Sequence, residues 1–168
     1  MSGNLFLKYL LRFVIVMLIQ VLLFGNIRFM GYVDPMFYIW FILSLPSNMN
    51  RSLFLVIAFV TGWLLDIFFN TPGMFAFATV LVAYLRAPLL TFVVSRDNTL
   101  SAYEPSIKTL GLSTYLKYAS LLIVLLHLTL FSLEAFTFSH YELVLFKTAI
   151  NAPLTLLLVL SVQKSKAS

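Results

Sequence analysis

Residues 62–73 read GWLLDIFFNTPG, and they decide how the chain is understood. The stretch lies inside a long apolar run, yet it carries Asp66 and then breaks at Asn70-Thr71-Pro72-Gly73. A carboxylate at the centre of a lipid-embedded helix costs roughly 2.5–3.5 kcal/mol on insertion scales. A helix that keeps one must offset that cost with a partner.

The surrounding composition makes lipid the relevant solvent. Of 168 residues, 61% are hydrophobic and 10% charged, with a mean hydropathy of +1.00. A water-soluble domain of this size is about 45–50% apolar and about 25% charged. The excess apolar surface exceeds what one soluble core can hide, which predicts an all-α integral membrane protein. The formal charge of +5 comes from scattered lysines and arginines, the pattern of topology signals rather than of a nucleic-acid-binding patch. The chain has no cysteine, which excludes disulfides, thiolate nucleophiles and Cys-based metal sites. His127 and His140 are too far apart in sequence to form a recognisable metal motif.

A membrane-crossing helix needs ~20 mostly apolar residues. Five stretches meet or approach that length: Tyr9–Gly25, Ser52–Phe69, Pro72–Val94, Thr114–Phe136 and His140–Val162. The first follows Lys8 and Arg12 but has no small-residue cleavage site after it, so it reads as a retained helix rather than a signal peptide. A sixth stretch, Gly31–Pro46, is half apolar run and half Asp34-Pro35. It is either a short tilted span or a re-entrant segment. Charge placement favours a sixth crossing with the N-terminus inside. Nine of the eleven basic residues then face the cytoplasm (Lys8, Arg12, Arg51, Arg86, Arg96, Lys108, Lys117, Lys164 and Lys166), leaving only Arg28 and Lys147 outside. The expectation is one bundle of about six helices, residues 95–113 as a cytoplasmic connector, and both termini cytoplasmic.

Several polar residues mark candidate packing or partner-binding positions. Ala58, Gly62 and Asp66 recur every four residues on one helix face, and small residues at that spacing let helices approach closely. Gly73, Ala76, Val80, Ala83 and Ala87 form a second small-residue seam. Arg86 beside Ala87-Pro88 has two open roles, reaching to the inner headgroups or serving the interior. Ser113, Ser120, His127 and Glu134 fall at intervals of seven, and Lys147, Asn151 and Thr155 fall four apart. Lys147 lies at about the depth of Asp66, which makes it the expected partner of that carboxylate. No nucleophile–base pair, zinc motif or phosphate-binding glycine loop is present, so the sequence gives enzymatic chemistry no support.

Residues 62–85, GWLLDIFFNTPGMFAFATVLVAYL, resemble the signature region of the rod-shape-determining membrane proteins of the MreD family. The matching positions are Gly62, Asp66, Pro72-Gly73 and Tyr84-Leu85. Overall length, a short second span opening near Pro35 and Asn151 in the last helix are also similar. VDPMFY departs from the family's more usual proline followed by an acidic residue. The resemblance implies a fold like the substrate-binding subunits of energy-coupling-factor vitamin transporters. It implies a place in the bacterial cytoplasmic membrane, within the cell-elongation complex that builds peptidoglycan. Implied partners are MreC, the actin-like MreB and the RodA glycosyltransferase with its transpeptidase. On this view Asp66 and the turn after it fix the third and fourth helices and shape a site, with no cofactor. The competing reading is a vitamin-binding transporter subunit, with Asp66, Lys147 and His140 as candidate contacts toward the outer end.

Overall fold

Long Leu-, Phe- and Val-rich runs, unbroken by charge, satisfy their own backbone in an apolar medium by closing their N–H and C=O bonds within a helix. In the computed structural model, which describes residues 3–25, 33–94, 103–135 and 141–167, they do so. Helix α1 covers Gly3–Leu18 and runs on into a π-helical turn over Ile19–Phe24. The remaining helices are α2 (Ile39–Ser44), α3 (Arg51–Phe69), α4 (Met74–Val93), α5 (Ile107–Leu110), α6 (Leu112–Ala135) and α7 (Tyr141–Ala167). Five of these stretches are long and apolar enough to cross a bilayer: Phe6–Phe24, Arg51–Phe69, Met74–Val93, Leu112–Ala135 and Tyr141–Ser165. The protein is a multi-pass all-α membrane protein.

Helix α4 packs against α3 on one side and α6 on the other, and α6 pairs with α7. Helix α1 is peripheral, with Leu7, Leu11, Ile15, Leu18 and Leu22 on its exposed face. Its main attachment is to the segment that follows it.

That segment corrects the expectation of a sixth spanning helix over residues 31–46. Residues 31 and 32 lie outside the described residues, and only Ile39–Ser44 is helical. Every residue from Met36 to Leu45 is buried, none more than 5% exposed. The stretch is a core element wrapped by the other helices, and only the edge of Trp40 reaches a surface cavity, beside α1. It still carries the chain back through the bundle. Ser44 meets Arg12, near the start of α1, while Gly25 at the far end of that pass packs on Phe69 at the end of α3. Helices α1 and α3 therefore start at the same end, and residues 33–50 make the return.

A buried stretch that is half extended leaves N–H and C=O groups without helical partners, and each must find one. Polar side chains on two long passes supply them, and a third pass braces one of those side chains. Gln20 Nε2 donates to the Pro35 carbonyl (3.2 Å) and its Oε1 accepts from the Tyr38 N–H (3.0 Å). The Asp34 N–H donates to Asn151 Oδ1 (2.6 Å), and the Met36 N–H to Thr155 Oγ1 (3.1 Å). Thr155 Oγ1 lies 3.3 Å from His127 Nε2, and His127 Nδ1 lies 2.9 Å from the Ile123 carbonyl. These contacts chain together if the hydroxyl donates to Nε2 and Nδ1 carries the ring proton, the neutral tautomer the acceptors require. The π-helical turn, closed by Gly25 N–H to the Gln20 carbonyl (2.8 Å), brings Gln20 to complete burial. A π-bulge of this kind commonly marks a position aimed at a specific task.

The sequence spacings fare unevenly. Ala58, Gly62 and Asp66 are all buried on α3. On α4 the seam of Ala76 and Ala83 is buried but Ala87 is exposed. The heptad series on α6 is not one polar face. His127 is buried, Ser113 and Glu134 are exposed, and Ser120 bonds its own helix at the Lys117 carbonyl. Intervals of seven drift by ~20° per repeat on a helix of 3.6 residues per turn, so three repeats shift the series by ~60°, and its two ends lie beyond the part of α6 that the bundle covers.

Candidate functional site: the helix clasp at Asp66 and the arginine at the core

Asp66 sits one turn from the end of α3, and its carboxylate turns across to the first turn of α4. Oδ1 accepts from the Phe75 N–H (3.0 Å) and from the Thr71 hydroxyl, and Oδ2 accepts from the Ala76 N–H (2.8 Å). The N-cap of α4 is Gly73, which has no side chain to accept the orphan N–H groups at that end. Asp66 does it instead, from the preceding helix. A carboxylate there also faces the positive end of the α4 dipole. The backbone of α3 closes on the same point, with the Asn70 and Thr71 N–H groups both donating to the Asp66 carbonyl.

Two residues in the turn adopt left-handed backbone, Asn70 at φ 54° and Gly73 at φ 85°. Asparagine and glycine are the residues that tolerate it. Pro72 between them is exposed. Gly62, one turn before Asp66, is where the start of α4 rests on α3. A Cβ there would fall 2.5 Å from Ala76 Cα and 2.5 Å from the Phe75 carbonyl oxygen. Gly62, Asp66 and Gly73 thus form one device, a clasp that fixes the α3–α4 hairpin by backbone contact and a buried carboxylate.

The expected Asp66–Lys147 pair does not form. Lys147 Nζ lies 3.0 Å from Glu134 Oε2 and 5.4 Å from the Phe131 ring centre. The carboxylate has no need of a lysine because amide dipoles compensate it. Asn151 is likewise engaged. Its Oδ1 accepts from Asp34, and its amide donates to the Lys147 carbonyl (2.9 Å).

Arg86 takes the interior role. It is 4% exposed, and Nε donates to the Tyr118 hydroxyl (2.8 Å). One terminal nitrogen reaches both the Leu43 carbonyl (3.4 Å) and the Leu45 carbonyl, and the guanidinium lies 4.7 Å from the Phe54 ring centre. Tyr118 Oη donates in turn to the Leu43 carbonyl (3.2 Å). Leu43 and Leu45 end the short α2, so Arg86 satisfies the carbonyls of a buried helix C-terminus, where the dipole favours a cation. Of the three charged candidates, Asp66 and Arg86 each close a helix end, and Lys147 does not.

A third cluster escaped the sequence reading. Glu104 in the connector accepts from Lys8 Nζ (2.8 Å), Tyr9 Oη (2.7 Å) and both terminal nitrogens of Arg12 (3.2 and 3.3 Å). The Ser47 N–H donates to the Tyr103 carbonyl (2.9 Å), and the Tyr103 N–H lies 3.3 Å from Ser47 Oγ. Residues 103–110 are thereby strapped across the end of the bundle where α1 begins. Nothing in the spacing of Glu104 relative to Lys8 and Arg12 signals this, because the pairing spans more than ninety positions.

Partial burial alone would raise the Glu104 pKa. The hydrogen bonds from Lys8 and Tyr9 and the charges of Arg12 and Lys8 outweigh it and hold the group at about 2, against an ordinary 4.5. A depressed carboxylate contributes its stabilisation above the unfolded pKa and loses it as pH falls through the folded one. The strap should therefore stay docked at neutral pH and release between about pH 4.5 and 2. Limited proteolysis of the connector across that range should show it, and Glu104→Gln should make cleavage fast and pH-independent.

Comparison of the chain with protein-family models, with curated proteins and with solved structures finds no match.

Proposed function

We propose that the protein is a non-enzymatic scaffold of the bacterial cell-elongation complex, of the MreD type. It binds MreC and is linked to MreB and to RodA with its transpeptidase. The observation that carries this reading is the clasp. The residues of the MreD-like stretch, Gly62, Asp66 and Gly73, are spent on holding two helices rigidly together. Residues that would do chemistry stay free to meet a substrate, whereas here the buried charges are consumed in the fold. A rigid hairpin presented to other membrane helices suits a part whose task is to position its neighbours.

The reading places the protein in the cytoplasmic membrane with both termini inside. Supporting it, Lys8 and Arg12 near the N-terminus, Lys108 in the connector and Gln163 near the end of α7 line one pocket at a single end of the bundle. A basic-rich end belongs on the cytoplasmic side. The vitamin-binding alternative loses two of its contacts, since Asp66 caps α4 and Lys147 pairs with Glu134. His140 lies outside the described residues.

Depletion in a rod-shaped host decides between these readings. We expect rounded cells with vitamin uptake unchanged, and co-purification of MreC with the tagged wild-type chain. Rod-shaped cells that have lost uptake of one vitamin would overturn the scaffold in favour of the transporter subunit.

A further inference from the structure

Two cavities meet at Lys8 and Arg12. One, of about 610 Å³, runs along the outside of α1 and is lined by Leu7, Leu11, Ile15, Val16 and Trp40 besides those two cations. The other, of about 440 Å³, lies under the strap and is polar, with Lys108, Ser44, Ser106 and Thr109 around the same two cations and Glu104. The first is an apolar channel on the outer face of α1, and the second is a chamber ringed by charged and hydroxyl side chains at the end of the bundle. Three cations against one carboxylate leave the chamber net positive. Arg12 is held in place by Glu104 and Ser44 and by the rings of Tyr9 and Trp40, at 5.6 and 5.5 Å. Lys8 is half exposed and Lys108 is exposed, and although Lys8 Nζ donates to Glu104, an ammonium has three donors, so both side chains keep N–H groups for a ligand.

We propose that this pair of cavities is a binding site for one anionic phospholipid, with its phosphate in the chamber between Lys8 and Lys108 and an acyl chain along Leu11, Ile15 and Trp40. The occupant follows from the shape and charge together. An apolar channel alone would take any lipid tail, and a cationic chamber alone any small anion. Joined at Lys8 and Arg12, they fit a molecule with a negative head and a long tail. Trp40 at the junction is the residue type that sits where hydrocarbon meets headgroup. The site is independent of the scaffold reading, requiring only that this end of the bundle lie at a membrane surface.

The test uses the full chain in detergent with phosphatidylglycerol or phosphatidylcholine added in turn, read by native mass spectrometry and by thermal shift. We expect retention of one phosphatidylglycerol and a raised Tm, with phosphatidylcholine retained much more weakly. Lys8→Gln/Lys108→Gln should weaken retention roughly thirtyfold, since each cation near an anionic headgroup is worth about fivefold. Ile15→Trp should weaken it by filling the channel with the charge unchanged, and Arg51→Gln, a cation that packs on the Tyr84 ring instead, should leave it intact. Lipid-free Tm values close to wild type should accompany Ile15→Trp and Arg51→Gln, whereas the double variant, which also loses the Lys8–Glu104 contact, should sit slightly lower and is compared at equal folded fraction. Equal retention of both lipids would overturn the site, as would an Arg51→Gln loss as large as that of the double variant. Retention insensitive to Ile15→Trp but abolished by glycerol phosphate would reduce it to a headgroup anion site and overturn the phospholipid assignment.

Discussion

Asp66→Ala should lower the stability of the folded protein in detergent by about 3 kcal/mol or more. The change removes the acceptor of two buried N–H groups and a partly buried hydroxyl, and each buried donor left unsatisfied costs roughly 1–3 kcal/mol. Asp66→Asn keeps one oxygen but turns an N–H₂ toward an N–H, so it should fall between alanine and wild type. Gly62→Ala should be comparably damaging, since its new methyl meets backbone atoms that cannot turn aside, and overpacking of this kind typically costs about 1–3 kcal/mol. Partner choice is tested by the double variant. Asp66→Ala/Lys147→Ala should be additive to within about 0.5 kcal/mol, because the two groups share no contact. Glu134→Ala and Lys147→Ala should couple, but weakly, because Glu134 is half exposed and such pairs are worth about 0–1 kcal/mol. Recovery of stability in the Asp66/Lys147 double variant would restore the ion-pair account and remove the clasp.

The contrast between those two partners shows what the sequence disclosed and what it withheld. Five helices, the break at Asn70–Gly73 and the shared face of Gly62 and Asp66 follow from period and residue type, both local properties. That Asp66 needed compensation was equally legible, since a carboxylate in hydrocarbon always does. The nature of the compensation was not. Helix depth singles out charged side chains and overlooks backbone amides, which have no letter in the sequence, so a search for a cation finds Lys147 and misses the end of α4. The same blindness explains Gln20, Asn151, Thr155 and His127. Each reads as an isolated polar residue on an apolar helix, and they become one system only through the irregular backbone of residues 34–38. That backbone was legible as an anomaly, a stretch too short and too interrupted by Asp34-Pro35 to span. Its burial was not, because burial here is decided by the neighbouring long helices and not by its own composition.

Arg86 is where this economy is most exposed to test. It closes the C-terminal carbonyls of α2, positions Tyr118 and stacks on Phe54, so it ties α4, α6 and α3 to the buried segment at once. Arg86→Met keeps the length and removes every bond. The two leucine carbonyls would be left in an apolar interior with only Tyr118 Oη in reach, and the expected loss is about 3–5 kcal/mol, two unsatisfied groups plus imperfect filling. Arg86→Lys separates charge from geometry. A lysine keeps the cation at the helix end, yet one ammonium cannot hold Tyr118 and two carbonyls in the planar fork that a guanidinium provides. It should recover only part of the loss. Tyr118→Phe should cost about 1–2 kcal/mol by removing one donor to Leu43 and one acceptor for Nε. The alternative role, reaching to the inner headgroups, predicts a different order. A headgroup-seeking arginine would be replaced by lysine without loss, and Tyr118→Phe would be silent. Unfolding midpoints for these three variants therefore discriminate: Met worst, Lys intermediate and Phe measurable would place Arg86 inside the bundle as the cap of a buried helix, whereas a neutral Lys would return it to the membrane surface.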